Sequence, residues 1–576
     1  MSARAGELRA WWCDFRCVLR AGGGGASVGG VSAMMLLCAA LDLLGIGLVA
    51  PFVGLVMGQG ATGLPAVLQG LVARVPLEAL GLGIVVVFVA KSFAAYRMQR
   101  RIVRFAEAQR AILMQRLLEA FLARDYAAHL ARPSAERVNV LFWHTAHYAG
   151  ATLGTVLRLV TDIVVLLAVV ALLLAIDVVA TIILALMLAV VVAGTARLVR
   201  RELADASRAA STGQARALAV VQDSLGAFRE IRVLGAAAAF QQALARAADG
   251  LADATARQNA VHQLPRAAVE TALVAFLVLV SLWAVRGGAD AAGLVPVLGA
   301  MGVAAMRLMP IATSLLSGLN NLRASRHALG EIAAALREAG DRPADPLPAP
   351  ARAFERLALR GIGFSYPGAD VPALRGIDLD LRRGEVLGIA GRSGAGKSTL
   401  VDLLLGLLRQ HEGTIESDGT PVSLAQADWQ GRCAYIPQDV FLVAGSLRDN
   451  IVFGAAEDPA RLADAVRLAG LADVVARHPA GLDAPLGERG VGLSGGQRQR
   501  VAIARALYRA REVLVMDEAT SALDAATEGE VVAAIHALRG RCTIVVVAHR
   551  PALLAACDRV LQLEHGRVVV AEPARA

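Results

Sequence analysis

GRSGAGKST, Gly391 to Thr399, constrains the fold of this chain more than any other stretch. It reads as a phosphate-binding loop that opens a helix. Its glycines let backbone N–H groups close on the phosphates of a nucleotide. Lys397 then reaches the β- and γ-phosphates, and the Ser398 hydroxyl can ligate Mg²⁺. Gly391, Arg392, Ser393, Gly394, Ala395, Gly396, Lys397, Ser398 and Thr399 are therefore candidate nucleotide contacts. The motif by itself fixes a nucleotide and a loop-to-helix element, not a reaction.

The N-terminal half obeys a different constraint. Of the 576 residues, 56% are apolar and only 4% aromatic. The apolar residues gather in runs at Val31–Met57, Leu80–Ala90, Val160–Ile176, Val178–Ala193, Val269–Val285 and Leu294–Leu316. Most reach or approach the ~20 residues needed to cross a bilayer. The second becomes a full span if Lys91 is included, and Asp177 alone separates the third from the fourth. Six spans put both termini on one side, and arginine says which. Arg4, Arg9, Arg16 and Arg20 precede the first run; Arg97, Arg100, Arg101, Arg104 and Arg110 follow the second. Arg197, Arg200 and Arg201 follow the fourth, and Arg323 and Arg326 the sixth. The opposite loops hold only Arg74 and Arg286, so the termini are expected in the cytoplasm of a bacterial-type inner membrane. The net charge of +9 lies along these flanks, which argues against nucleic acid as a partner.

The remaining segments suggest joints and extensions. Residues 1–30 are expected to form an interfacial helix, with Trp11 and Trp12 between arginines, then a glycine-rich joint. No A-x-A site precedes the first run, so no cleavable signal peptide is expected. Residues 31–325 form the membrane domain, 326–350 a proline-rich linker and 351–576 the nucleotide-binding domain. Polar Ala/Arg/Glu/Gln stretches between the second and third runs, and between the fourth and fifth, read as helices continuing into the cytosol. The six cysteines lack zinc spacing and suggest no disulfide.

LSGGQ, Leu493–Gln497, follows the phosphate loop by about a hundred residues, and VLVMDEAT, Val513–Thr520, follows in turn. Together the three elements resemble the nucleotide-binding domain of ATP-binding cassette (ABC) proteins. FSYPG, YIPQD, SALD at Ser521–Asp524 and VVVAHR fit in order. The resemblance implies a fold of a six-span α-helical membrane domain followed by an α/β P-loop ATPase domain, and it implies ATP and Mg²⁺. It assigns Tyr366 to stacking on adenine and Gln438 to Mg²⁺ and the attacking water. Asp517 would be a direct or indirect Mg²⁺ ligand, Glu518 the general base and His549 the γ-phosphate sensor. Ser494, Gly495, Gly496 and Gln497 would meet the nucleotide of a partner subunit. One chain would leave them without one, so a homodimer is expected. Candidate coupling helices lie near Tyr126–Pro133 and Asp223–Phe228, and GERG, Gly487–Gly490, resembles the loop that touches them.

Polar residues inside the spans are the only internal clue to cargo, because a charge there costs at least ~2.5–3.5 kcal/mol. Arg307 lies about 20 Å into the last span at ~1.5 Å per residue. It either faces a cavity or sits in a structural ion pair. Lys91 can face a path or snorkel, and Arg266 is a further candidate cation. Asp42 can pair or line the path; Asp162 can pair with Arg158 one turn away. LDLLGIGLVAPFVGL, FREIRVLG and RLMPIATSLLSGLNNLRAS resemble the exporter branch that flips lipid-linked oligosaccharides. That branch implies an amphipathic, lipid-linked substrate, with Arg307, Lys91 and Arg266 available to its pyrophosphate. A lipid-A-type exporter, then a multidrug or peptide exporter, are the alternatives. A soluble repair or translation ATPase would lack the spans, and a gated channel would not need Glu518.

Overall fold

The structure is a computed structural model. It describes residues 2–23, 37, 40, 41, 76–130, 134–176, 178–286, 291–338, 354–424, 427–487, 492–518, 529, 532, 533, 535, 536 and 538–573. The first apolar run, with Asp42, lies almost wholly outside these residues, as do SALD and most of GERG. Two compact units result. One comprises Met1–Ala123 with Pro133–Arg342, the other Arg124–Arg132 with Pro343–Ala576.

In chain order the helices are α1 (Ser2–Ala21), α2 (Leu77–Leu122), α3 (Tyr126–Leu130), α4 (Ser134–Asn139), α5 (Gly154–Ile176), α6 (Val178–Gly226), α7 (Phe228–Leu234), α8 (Ala237–Arg286), α9 (Ala291–Ala324) and α10 (Arg326–Glu338). All but α3 belong to the first unit. The later five apolar runs fall on α2, α5, α6, α8 and α9. With 46, 49 and 50 residues, α2, α6 and α8 are each about 70 Å long at ~1.5 Å per residue, twice a bilayer's hydrocarbon core. The surplus accounts for the polar extensions. Among the described residues, Gly81–Leu122 and Glu136–Ala171 are long and apolar enough to cross a membrane by length and composition.

Helical periodicity sorts the apolar residues into two destinations. Leu82, Val85, Val86, Val89 and Phe93 form one exposed stripe on α2, and Ile182, Ile183, Leu186 and Val190 another on α6. Such stripes are unfavourable in water and favourable in hydrocarbon. Val169 and Leu173 of α5, Leu184 of α6, Phe276 of α8 and Leu308 of α9 face inward and pack as one core.

Two expectations change here. Trp11, Phe15 and Val18 of α1 are buried against Ile102, Leu113 and Leu117 of α2 and Ile332 of α10, so the face expected to meet lipid is taken up by protein. The contact lies on α2 beyond Arg101, past its apolar run. Likewise 326–338 is no linker but helix α10, whose Leu329, Ile332, Ala333 and Ala335 are buried. Asp14 of α1 pairs with Arg337 of α10. The contrast between the two tryptophans is testable. Trp11 is 8% exposed and Trp12 47%. Trp11→Ala should remove about 3 kcal/mol of packing and lower the melting temperature in detergent by several degrees. Trp12→Ala should change it little.

In the second unit, β3 (Val386–Gly391), β6 (Cys433–Ile436), β9 (Val513–Asp517), β10 (Thr543–Val547) and β11 (Arg559–Glu564) form a parallel sheet, completed by antiparallel β12 (Arg567–Pro573). Its order is β12-β11-β3-β10-β9-β6. β3, β9 and β10 are buried throughout, as a central strand covered on both faces must be. The two-residue period divides their side chains. Ile544, Val546, Leu514 and Met516 join one core. Val545, Val547, Val513 and Val515 join the core on the other face. A second, antiparallel sheet holds β1 (Arg356–Phe364), β2 (Leu374–Arg382), β4 (Glu412–Ser417) and β5 (Thr420–Pro421), in the order β2-β1-β4-β5, and β7 (Gly445–Ser446) pairs with β8 (Pro485–Leu486).

Candidate functional site

Four adjacent parallel strands bring five expected residues to one edge of the sheet. β3 leads to the phosphate loop and Lys397, β10 to His549, β9 to Asp517 and Glu518, and β6 to Gln438. The order β3-β10-β9-β6 makes these ends neighbours, the place where an open α/β sheet binds its ligand.

The loop is shaped by glycine. Gly396 precedes α11 (Lys397–Leu404) at φ 101°, and a Cβ there would lie 2.7 Å from the Ala373 carbonyl oxygen. Only glycine fits both the dihedral and the approach. The turn aims the first N–H groups of α11 outward, a ready anion site. Lys397 is only 7% exposed, and its Nζ donates to the carbonyls of Gly391 at 2.9 Å and Arg392 at 3.1 Å. Arg392, Ser393, Gly394 and Ser398 are exposed along the loop, whereas Gly391, Ala395 and Thr399 are buried. Tyr366 stands beside α11, its hydroxyl 3.3 Å from Thr399 Oγ1 and its ring edge-on to Phe364.

Glu518 is the point of convergence. Gln438 Nε2 donates to Oε2 at 2.8 Å, and His549 Nε2 lies 3.0 Å from Oε1. The residue takes φ 46°, a left-handed conformation uncommon for a side chain of this size, with its N–H held by Val547 O at 3.0 Å. Such strain concentrates at functional positions. Gln438 spends its amide nitrogen on Glu518, which leaves its oxygen to face a cation. Like the Ser398 hydroxyl and the Asp517 carboxylate, it is an oxygen donor of the kind a hard divalent ion such as Mg²⁺ prefers. Burial, then the Glu518 charge, holds the Asp517 carboxyl above its ordinary range, with Lys397 opposing.

Ser494 caps α12 (Gly495–Arg509). Its Oγ accepts the Gln497 N–H at 3.2 Å, while Gln497 Oε1 accepts the Ser494 N–H at 2.8 Å. This capping box fixes the turn, and Ser494 stays exposed beside Gly495 and Gly496.

The candidate cargo residues separate. Lys91 is half-buried on α2, its Nζ 5.5 Å from the Phe88 ring centroid. Arg266 of α8 lines a cavity in the first unit. Arg307 falls on α9, but its side chain lies outside the described residues. Asp162 Oδ2 accepts the Ser314 hydroxyl at 2.5 Å, with Arg158 near enough to interact with its charge.

Sequence reasoning missed Asp402. It is the one acid in α11, five residues after Lys397, and that isolation within an apolar helix was the available signal. Burial, with Asp517 nearby, pushes its carboxyl up to about 6. Nine residues from the first half of the chain, Arg124–Arg132, also belong to this unit. Tyr126 and Ala127 pack on the core that holds α11, and Asp125 lies 3.8 Å from Arg409.

Two outcomes follow. Lys397→Ala should weaken ATP binding by about tenfold or more, since it removes the charge-assisted contact to the β- and γ-phosphates; a fluorescent-nucleotide titration measures it. A carboxyl raised on folding adds stability below its unfolded value of 3.8, and that stability is lost as pH rises through about 6. Asp402→Asn should therefore raise the melting temperature of nucleotide-free protein at pH 7.5, with a smaller gain at pH 5.

Comparison with known proteins agrees with this geometry. Residues 374–521 match the family model described as ABC transporter, and residues 34–286 the model described as ABC transporter transmembrane region. The ATP-dependent lipid A-core flippase of Thiobacillus denitrificans is 30% identical over 516 residues, 87% of this chain and 86% of that protein. The protein of the same name in Burkholderia orbicola is 41% identical over 233 residues, 40% of this chain and 39% of that protein. The mycobactin import ATP-binding/permease protein IrtB of Mycobacterium bovis is 44% identical over 218 residues, 37% of each chain. A bacterial Atm1-family ABC exporter solved with ATP bound shares the fold, with a TM-score of 0.77 over 96% of this chain and 95% of that one, at 24% identity. The chain belongs to the ABC transporter family, as an exporter-type half-transporter with a helical membrane domain and an ATP-hydrolysing cassette fused in one polypeptide.

Proposed function

We propose that two copies of this chain form an ATP-driven flippase that moves an anionic, lipid-linked substrate across the bacterial inner membrane, with termini and cassettes in the cytoplasm. The observation that carries the hydrolytic part is the Glu518 carboxylate held between Gln438 and His549. Glu518 takes the proton of a water attacking the γ-phosphate, and its two partners fix the carboxylate's orientation. Lys397 exchanges the Gly391 and Arg392 carbonyls for phosphate oxygens, and Tyr366 stacks on the adenine. The N–H groups at the start of α11 meet the charge that spreads over the transferring group. Ser398, Gln438 and Asp517 would hold Mg²⁺, which when bound neutralises phosphate charge. Ser494 and the glycine amides of one copy reach the nucleotide of the other, so ATP lies between two cassettes. Residues 31–325 make the membrane domain and 351–576 the cassette, with α10 reassigned to the former.

Lipid-linked oligosaccharide is the first substrate reading, on the stretches around Gly45, Arg232 and Arg307. The second is a lipid-A-type lipid, favoured by the name of the Thiobacillus relative, which aligns over most of this chain. Proteoliposomes holding either fluorescent lipid distinguish them. Wild type should translocate one of the two with ATP, and movement of neither ends the flippase reading. Glu518→Gln should bind ATP normally yet hydrolyse it about a hundredfold or more slowly; turnover at the wild-type rate would remove Glu518 from its role. Arg307→Ala should lose translocation more than ATP hydrolysis, measured side by side, if its charge meets the substrate.

A further inference from the structure

Tyr366 is held from three directions, and one of its supports comes from outside the nucleotide motifs. Its hydroxyl lies 3.3 Å from Thr399 Oγ1 of α11, and its ring stands edge-on to Phe364, with centroids 5.0 Å apart and planes at 89°. The third support is His411. The Ser365 N–H, one residue before Tyr366, donates to His411 Nδ1 at 3.3 Å. The same imidazole lies nearly flat on Phe364, with ring centroids 5.0 Å apart and planes 24° from parallel. Phe364 is buried in the core of this unit, so the stack has a fixed base.

Strand geometry brings His411 to that place. β1 and β4 run antiparallel, and Arg360 faces Thr414 while Gly363 faces Glu412. Three steps on β1 therefore match two on β4, and Gly361 takes φ 61° within the extra length. Such a bulge bends the strand and re-aims the side chains beyond it. A Cβ on Gly413 of β4 would lie 2.4 Å from the Arg360 carbonyl oxygen, so glycine is needed for this approach of the strands. Just before β4, the His411 N–H donates to the Gly363 carbonyl at 2.9 Å. The backbone of the histidine is fixed by β1, and its ring in turn fixes the backbone that leads into the tyrosine.

We propose that His411 is a positioning residue for the adenine: it holds Tyr366 in the orientation that stacking requires, without touching the nucleotide itself. The proposal rests on the reading of Tyr366 as the adenine-stacking ring and adds a residue to it. A ring already fixed orders less on binding and so binds more tightly. Stacking acts alike on bound ATP and on the transition state, so its loss raises KM and spares kcat. It also leaves the phosphate cradle intact, since Lys397 and the start of α11 build that separately.

The test uses the full-length protein in detergent. ATP hydrolysis is measured with inorganic triphosphate, which carries no base, as competitive inhibitor. His411→Ala should raise KM for ATP about fivefold and leave kcat and the inhibition constant of triphosphate unchanged. His411→Phe keeps a ring on Phe364 but loses the acceptor, and should show most of the same loss. His411→Asn offers Oδ1 to the Ser365 N–H and should recover most of the wild-type KM. His411 is exposed, so melting temperatures should stay near wild type. An unchanged KM in both His411→Ala and His411→Phe overturns the proposal. So does an equal weakening of ATP and triphosphate, the mark of general damage to the site. Tyr366→Ala separates the proposal from the reading beneath it. If that variant keeps the wild-type KM, adenine stacking on Tyr366 falls. If it raises KM while His411→Ala does not, only the role of His411 falls. In the double variant the His411 change should add nothing. A full further loss there would give His411 a nucleotide contact of its own and overturn the positioning role.

Discussion

The nucleotide site is organised around one buried ammonium. Lys397 sits at the foot of the phosphate loop with its donors turned onto the loop's own carbonyls. Around that positive charge the sheet edge collects Asp517 and Glu518, and α11 adds Asp402. Burial first, and a neighbouring carboxylate second, push both Asp402 and Asp517 toward the neutral form. These carboxylates leave the site short of positive charge, which a divalent ion such as Mg²⁺ would supply when bound. The glycine turn, the strained Glu518 backbone and the buried strands of β3, β9 and β10 hold these groups close enough for that shortage to exist.

The membrane unit answers to a different constraint. Its backbone must satisfy its own hydrogen bonds where water is absent, so the long helices are obligatory. What remains free is the choice of faces. Exposed stripes such as Leu82, Val85, Val86 and Val89 contrast with inward residues such as Leu173 and Phe276. Polar side chains such as Arg158, Gln263 and Asn321 line a cavity that α5, α8 and α9 enclose.

Much of the cassette was legible because its chemistry is local in sequence. A glycine loop, a strand ending in Asp517 and a histidine after a run of valines each announce themselves within a few residues. Their convergence on Glu518 follows from the strand order β3-β10-β9-β6. What was not legible depended on tertiary context. The basic and aromatic residues of α1 fit a lipid interface as well as a protein groove, and only the positions of α2 and α10 decide for the groove. α10 was obscured by the prolines that follow it, which drew the linker boundary too early. Asp162 gains a partner that no local pattern shows, since Ser314, some 150 residues further on, donates to it beside the charge of Arg158.

The segment Arg124–Arg132 joins these two logics. It is continuous in the chain with α2 on one side and leads to α4 on the other, yet it is counted with the cassette. Tyr126 carries the connection inward: burial, then Asp402, then Tyr366 raise its hydroxyl above the ordinary range. Asp402 belongs to the helix that starts at Lys397, and Tyr366 stands beside the same helix. A change of charge at Asp402 is therefore felt at Tyr126, in a segment continuous in the chain with α2. A low-dielectric core places Tyr126 within electrostatic reach of Asp402, and Asp402 within reach of Asp517.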